Sequence, residues 1–159
     1  MRRLLKFLHT MGAIGLIGAM ACLLVLLAFT PNPAAMPEYA ALRGAMGAIA
    51  TWIFLPSLAL TLVAGLLSMG LTPGYHNAGW ALAKLATGIL IFEGGFTGVV
   101  GPMQDEAERS AGALAGQADA ATLAQTLGPE RNTLWVLLAV AVVNVVLGIW
   151  RPRFTRLRD

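Results

Sequence analysis

The sequence predicts an all-α, polytopic membrane protein: one domain over residues 1–159, folded as a bundle of four transmembrane helices with both termini in the cytoplasm. Three observations lead there. Only 12% of the 159 residues are charged and 57% are hydrophobic. Soluble domains carry about 25% charged residues, so lipid is the solvent for most of this surface. Four apolar stretches, 5–30, 45–69, 79–102 and 133–150, approach or exceed the ~20 residues that cross a hydrocarbon core. Both ends are basic, with Arg2, Arg3 and Lys6 at the start and Arg151, Arg153, Arg156 and Arg158 in the tail. The placement of Lys and Arg, more than the net charge of +3, sets orientation.

The charged start runs into an apolar region from Met11 to Phe29. A secretory signal has an apolar region of about 7–15 residues, so an uncleaved first helix is expected instead. Pro31, Pro33 and Pro37 end it, because proline cannot continue a helix interior. Residues 38–44 read as a short polar connection. The second span holds Pro56, which removes a helix hydrogen bond and should kink it. Thr51, Ser57 and Thr61 are at hand to satisfy the freed backbone group.

A turn containing Pro73, Gly74 and His76 leads to the third span. The outer loop, 103–132, follows. Its composition is helical, weakened by glycine. It carries Asp105, Glu106, Glu108, Asp119 and Glu130 against Arg109 and Arg131. An even number of spans puts both basic ends on the cytoplasmic side and this acidic loop outside. Trp80, Trp135 and Trp150 fall near span ends, as an interfacial belt requires; Trp52 lies deeper and reads as a packing residue. Cys22 is the only cysteine. No intrachain disulfide or cysteine metal cluster is possible, and Cys22 reads as a small packing residue.

Helices in lipid pack through small residues. On the first span His9, Gly12, Gly15, Ala19 and Cys22 share a face, which turns His9 toward the other helices. On the third, Trp80, Lys84, Gly88, Ile91, Gly95 and Gly98 do the same for Lys84. At a rise of ~1.5 Å per residue both lie roughly 8 to 9 Å in from the cytoplasmic face. His76 sits at that face. Each has a plain reading: Lys84 snorkels to headgroups, His9 is an interfacial histidine, and His76 is an exposed turn residue. The functional reading joins all three around a flat porphyrin, with imidazole as axial ligand to haem iron. Covalent attachment is excluded, since there is no Cys-x-x-Cys-His motif.

Glu93 follows Lys84 by nine residues, about 180° around a helix. It reads either as one half of a bundle-locking ion pair with Arg43 or Arg131, or as a proton-relay group. Asn144 reads as an interhelical hydrogen bonder.

Four stretches carry a resemblance: LHTMGAIGLIGAM, LPSLALTLVAGLL, GWALAKLATGIL and RNTLWVLLAVAVVNVVLGIWRPRF. Together they resemble the HemJ-type protoporphyrinogen oxidases and their CopD-like relatives, and most closely a family of bacterial integral membrane proteins without an assigned activity. The resemblance implies a multi-pass protein of the bacterial inner membrane, with His9 as haem ligand, Trp80 beside the cofactor and Lys84 as the functional lysine. The chain departs from the oxidases in lacking an arginine and further aromatics late in its first helix, and in having Thr133 where they have glutamate.

The leading expectation is therefore a protein that binds or handles haem b or a porphyrin, in one version as an oxidoreductase. His9 would be the metal ligand, His76 and Trp80 further cofactor contacts, and Lys84 the catalytic group. The alternative is a non-enzymatic subunit or assembly factor, working as a homo-oligomer or within a larger membrane complex. A small proton-coupled carrier using Glu93 is disfavoured by the lack of an inverted repeat. Nucleic acid is excluded as a partner, because the basic residues lie beside spans where anionic lipid accounts for them.

Overall fold

The computed structural model describes residues 1–72, 74 and 78–150, with the side chain of Arg2 excepted. Every regular element among them is helical: α1 (Arg2–Ala28), α2 (Met36–Ile49), α3 (Leu55–Gly70), α4 (Gly79–Gly95), α5 (Gly101–Leu114) and α6 (Leu127–Trp150), with one short 3₁₀ turn at Ala120–Thr122. Five-residue π turns, Ala50–Phe54 and Phe96–Val100, carry α2 into α3 and α4 into α5 without a break. Four stretches, Arg3–Ala28, Met36–Gly70, Gly79–Leu114 and Ala120–Trp150, are long and apolar enough to cross a membrane. The chain is a multi-pass membrane protein.

Each π turn is followed by a residue and then a proline, Leu55-Pro56 and Gly101-Pro102. Proline has no N–H to give and suits the first turn of a helix. The amide of Leu55 reaches back to the Ala50 carbonyl, and that of Gly101 to the Phe96 carbonyl. Each proline therefore opens a new α-helix. Where a kink was expected at Pro56, the chain has a π turn before the proline. Thr51 and Thr61 donate to the carbonyls one turn back, Gly47 O and Ser57 O, at 2.8 and 2.7 Å. Thr97 does the same to Glu93 O at 2.8 Å.

The second and third stretches run for 35 and 36 residues. At ~1.5 Å per residue each is over 50 Å long, against a hydrocarbon core of ~30 Å. Counting 20 residues back from Gly70 ends at the π turn. So α2 and α5 stand beyond the membrane at the end away from the N-terminus, here the distal end. This corrects the connection placed over 38–44, which is helical; the outer segment 103–132, read as helical in composition, holds most of α5, a return over 115–126 and the start of α6. A helix satisfies its own backbone in lipid and in water alike, so a fall in hydropathy need not end it.

In this distal cap α2 and α5 pack face to face. Tyr39, Ala40, Arg43, Met46 and Gly47 are buried on α2, and Met103, Glu106 and Ser110 on α5. A Cβ on Gly47 would come within 3.0 Å of Ala107 Cβ. The return passes through two left-handed residues, Gly116 (φ +72°) and Ala124 (φ +65°). Alanine pays about 1–2 kcal/mol for that conformation. Glu106 holds it there: its Oε1 accepts the Ala124 amide at 2.8 Å and the Tyr39 hydroxyl at 2.5 Å. Arg43 ties α2 to α6 through a bidentate pair with Glu130, both contacts 2.7 Å and both side chains buried.

Toward the N-terminal, proximal end α1 neighbours α3 and α6, and α4 neighbours the same two. The helices thus close a ring with α1 and α4 on its diagonal. Leu16, Met20, Leu23, Phe54, Leu58, Ile91, Val99, Leu134 and Leu137 fill its middle and distal levels. The proximal level is left hollow.

Two surface assignments change. Cys22 is exposed on α1, one residue short of the buried position taken by Leu23. Trp52 is 78% exposed. Because the span begins at the π turn, Trp52 lies about 27 Å from Gly70 and joins the exposed Trp135 in the distal aromatic belt.

Candidate functional site

The proximal hollow is a cavity of about 570 Å³ walled by all four helices of the ring. Binding pockets for small molecules run from roughly 300 to 1,000 Å³. Its floor is Leu16, Leu58, Ile91 and Ala141, one residue from each helix, all buried. His9, Trp80 and Lys84 line its wall. The two helices whose inward faces carry the candidate ligands do not pack side by side; they face one another across the space.

His9 is fixed by how closely α1 approaches α3. A Cβ on Gly12 would overlap Thr61 Oγ1 and lie 2.9 Å from the Thr61 amide nitrogen, and one on Gly15 would overlap Ser57 Oγ. At that distance His9 Nδ1 reaches the Thr61 carbonyl at 2.8 Å. A carbonyl only accepts, so Nδ1 carries the proton. Gly65 leaves room for the ring, since a Cβ there would be 3.3 Å from Cε1 and Nδ1. Nε2 keeps its lone pair, and among the described residues nothing hydrogen-bonds to it. A histidine pinned through one nitrogen to a backbone carbonyl is the usual arrangement of a metal-ligating imidazole.

Lys84 turns toward α6 and does not run out to the headgroups. Its ammonium donates to the Asn144 carbonyl at 2.8 Å and lies where a Cβ on Gly148 would be 2.9 Å away. Asn144 returns a bond, Nδ2 donating to Thr87 Oγ1 at 2.9 Å. Lys84, Thr87 and Asn144 form a polar strap between α4 and α6. Among the described residues the other two donors of the ammonium have no partner and could serve a ligand. Interhelical polar bonds in membranes average about 0.6 kcal/mol and reach about 1.7. Asn144→Leu is therefore expected to lower unfolding free energy in detergent by no more than about 2 kcal/mol, leaving a folded protein.

Glu93 is elsewhere. It is exposed on α4, turned from the inward face that holds Lys84, Ile91 and Gly95. Among the described residues it forms no ion pair, which overturns the pairing with Arg43 or Arg131. Arg43 is paired with Glu130 in the cap through both terminal guanidinium nitrogens, and Arg131 is exposed. Nor does Glu93 line the cavity, so it cannot relay protons into it. His76 lies outside the described residues, as does the basic tail.

Sequence reasoning used Arg3 and Lys6 for orientation alone and passed over Ser68 and Thr72; all four line the open proximal mouth. The spacing of Arg3 and Lys6, one helical turn apart and ahead of Ala13 and Ile17, was the available signal. It also missed Tyr39, Glu106 and Glu130. Among the described residues no three His, Cys, Asp or Glu side chains gather to hold a metal ion. One imidazole in a roomy apolar cavity suits a metal that brings its own equatorial ligands better than a bare ion. No protein-family model, curated protein or solved structure matches this chain.

Proposed function

We propose that this protein binds b-type haem or a related porphyrin in the proximal cavity, with His9 Nε2 as axial ligand. It does so in the inner membrane of a bacterial cell, both termini in the cytoplasm. The observation that carries the reading is the 2.8 Å bond from His9 Nδ1 to the Thr61 carbonyl, which leaves the Nε2 lone pair free on a side chain that lines a 570 Å³ cavity. The resemblance to HemJ-type proteins points the same way. Arg3 and Lys6 at the proximal end support that orientation, since Lys and Arg beside spans favour the cytoplasmic side.

A bound haem supplies one-electron chemistry. His9 would hold it, the apolar floor would shield it, and the Lys84 ammonium would donate a hydrogen bond to an acidic substituent or act as a proton donor.

Protein purified in detergent from haem-replete cells is expected to show a Soret band that His9→Ala removes. A colourless preparation contradicts the proposal. Co-purification of one stoichiometric partner with that colourless protein would favour a subunit or assembly factor.

A further inference from the structure

Most cavity-lining side chains are buried or half-buried. The exceptions are Arg3, Lys6 and Thr10 on α1, Leu66 on α3 and Val145 on α6. The α1 residues fall one helical turn apart and lead on to Ala13 and Ile17 inside the cavity. They form a track on one edge of α1, cationic at the membrane surface and apolar deeper in. Val145 is exposed on α6, the helix beside that edge, while also lining the cavity.

At the glycines in this half of the bundle the close approaches fall within three pairs. Gly12 and Gly15 meet Thr61 and Ser57 between α1 and α3, Gly95 meets the floor residue Leu58 between α4 and α3, and Gly148 meets Lys84 between α6 and α4. No such approach joins α1 to α6 at this level.

We propose that the cavity opens sideways to the acyl chains through the α1–α6 seam, and that its ligand is a membrane-dissolved amphiphile with an acidic head group. Arg3 and Lys6 hold the carboxylate or phosphate at the headgroup level, with Ser68 and Thr72 across the mouth as further donors. The apolar body slides past Thr10 and Val145 onto the floor at Leu16 and Ile91. This rests on the cavity being a ligand site, as in the reading above, and not on iron at His9. A cation near the surface attracts such a head group, and the bilayer concentrates the ligand at the seam.

The test uses Trp80, which lines the cavity, as reporter. Of the four tryptophans, Trp52, Trp135 and Trp150 are replaced by phenylalanine, and the protein is placed in phosphatidylcholine vesicles. Dibromostearate or dibrominated phosphatidic acid is expected to quench Trp80 saturably, and whichever does so identifies the head group. Dibrominated phosphatidylcholine at equal bromine content is expected not to saturate. A companion variant keeping only Trp135 measures partition into the bilayer.

Arg3→Gln with Lys6→Gln is expected to raise the half-quenching concentration roughly tenfold. Val145→Phe, which narrows the seam, is expected to slow the onset of quenching while leaving its extent. Quenching of Trp80 no greater than that of Trp135, or a half-quenching concentration unmoved by the double variant, overturns the proposal. His9→Ala is expected to keep the quenching. Quenching without a Soret band then fails the haem reading alone, and a Soret band without quenching fails this one alone.

Discussion

Arg43→Met is expected to destabilise the protein by about 3 to 5 kcal/mol, the usual cost of leaving one partner of a buried ion pair uncompensated. Both side chains are out of contact with solvent and joined by two 2.7 Å bonds, so Glu130 would be left charged and buried with no cation beside it. The pair also connects α2 to the start of α6, across 87 residues of sequence. Its loss unties α2 from α6 within the cap. The double variant Arg43→Met, Glu130→Leu is expected to recover most of the loss, because two apolar side chains of similar volume need no partner. Unfolding in detergent, followed by helical circular dichroism, reads both. A single variant as stable as the wild type would show that the pair does not hold the cap.

Gly12→Val is expected to separate α1 from α3 and to cost pigment as well as stability. The added Cβ overlaps Thr61 Oγ1, which could rotate, but it also lies 2.9 Å from the Thr61 amide nitrogen and 3.0 Å from the Ser57 carbonyl, which could not. Overpacking of this kind costs about 1 to 3 kcal/mol. The movement carries His9 away from the Thr61 carbonyl, so the imidazole loses its fixed tautomer and direction. Gly18→Val is the control. It lies on the same helix with nothing within 4 Å of its Cβ, and its effect is expected to stay within about 0.5 kcal/mol. Equal behaviour of the two variants would contradict the close packing of α1 on α3.

The membrane class and the inward face of α4 were legible in the sequence because both rest on local pattern. Composition selects lipid as solvent, and Trp80, Lys84, Gly88, Ile91, Gly95 and Gly98 recur at helical spacing. The face of α1 was legible from His9 to Ala19 and failed at Cys22, where Leu23 takes the buried position instead. The cap was not legible. Hydropathy falls at Glu38 and again at Gln104, and a fall in hydropathy looks like a loop when the helix is in fact passing from lipid into water. Pro56 and Pro102 added to that impression, although each follows a π turn and starts a helix. Arg43 with Glu130 and Tyr39 with Glu106 pair across 87 and 67 residues, where no spacing rule applies. Glu93 was assigned a cation because an intramembrane carboxylate is costly. The rotation from Lys84 already placed it on the opposite side of α4.

The most direct measurement is a haemin titration of purified apoprotein, followed at the Soret band, on the wild type and on His9→Gly with and without added imidazole. The expected result is saturation at one haemin per chain in the wild type, none in His9→Gly, and restoration when imidazole enters the cavity in place of the missing side chain. Identical titrations of the two proteins, or no Soret shift in either, would contradict a ligand held through His9.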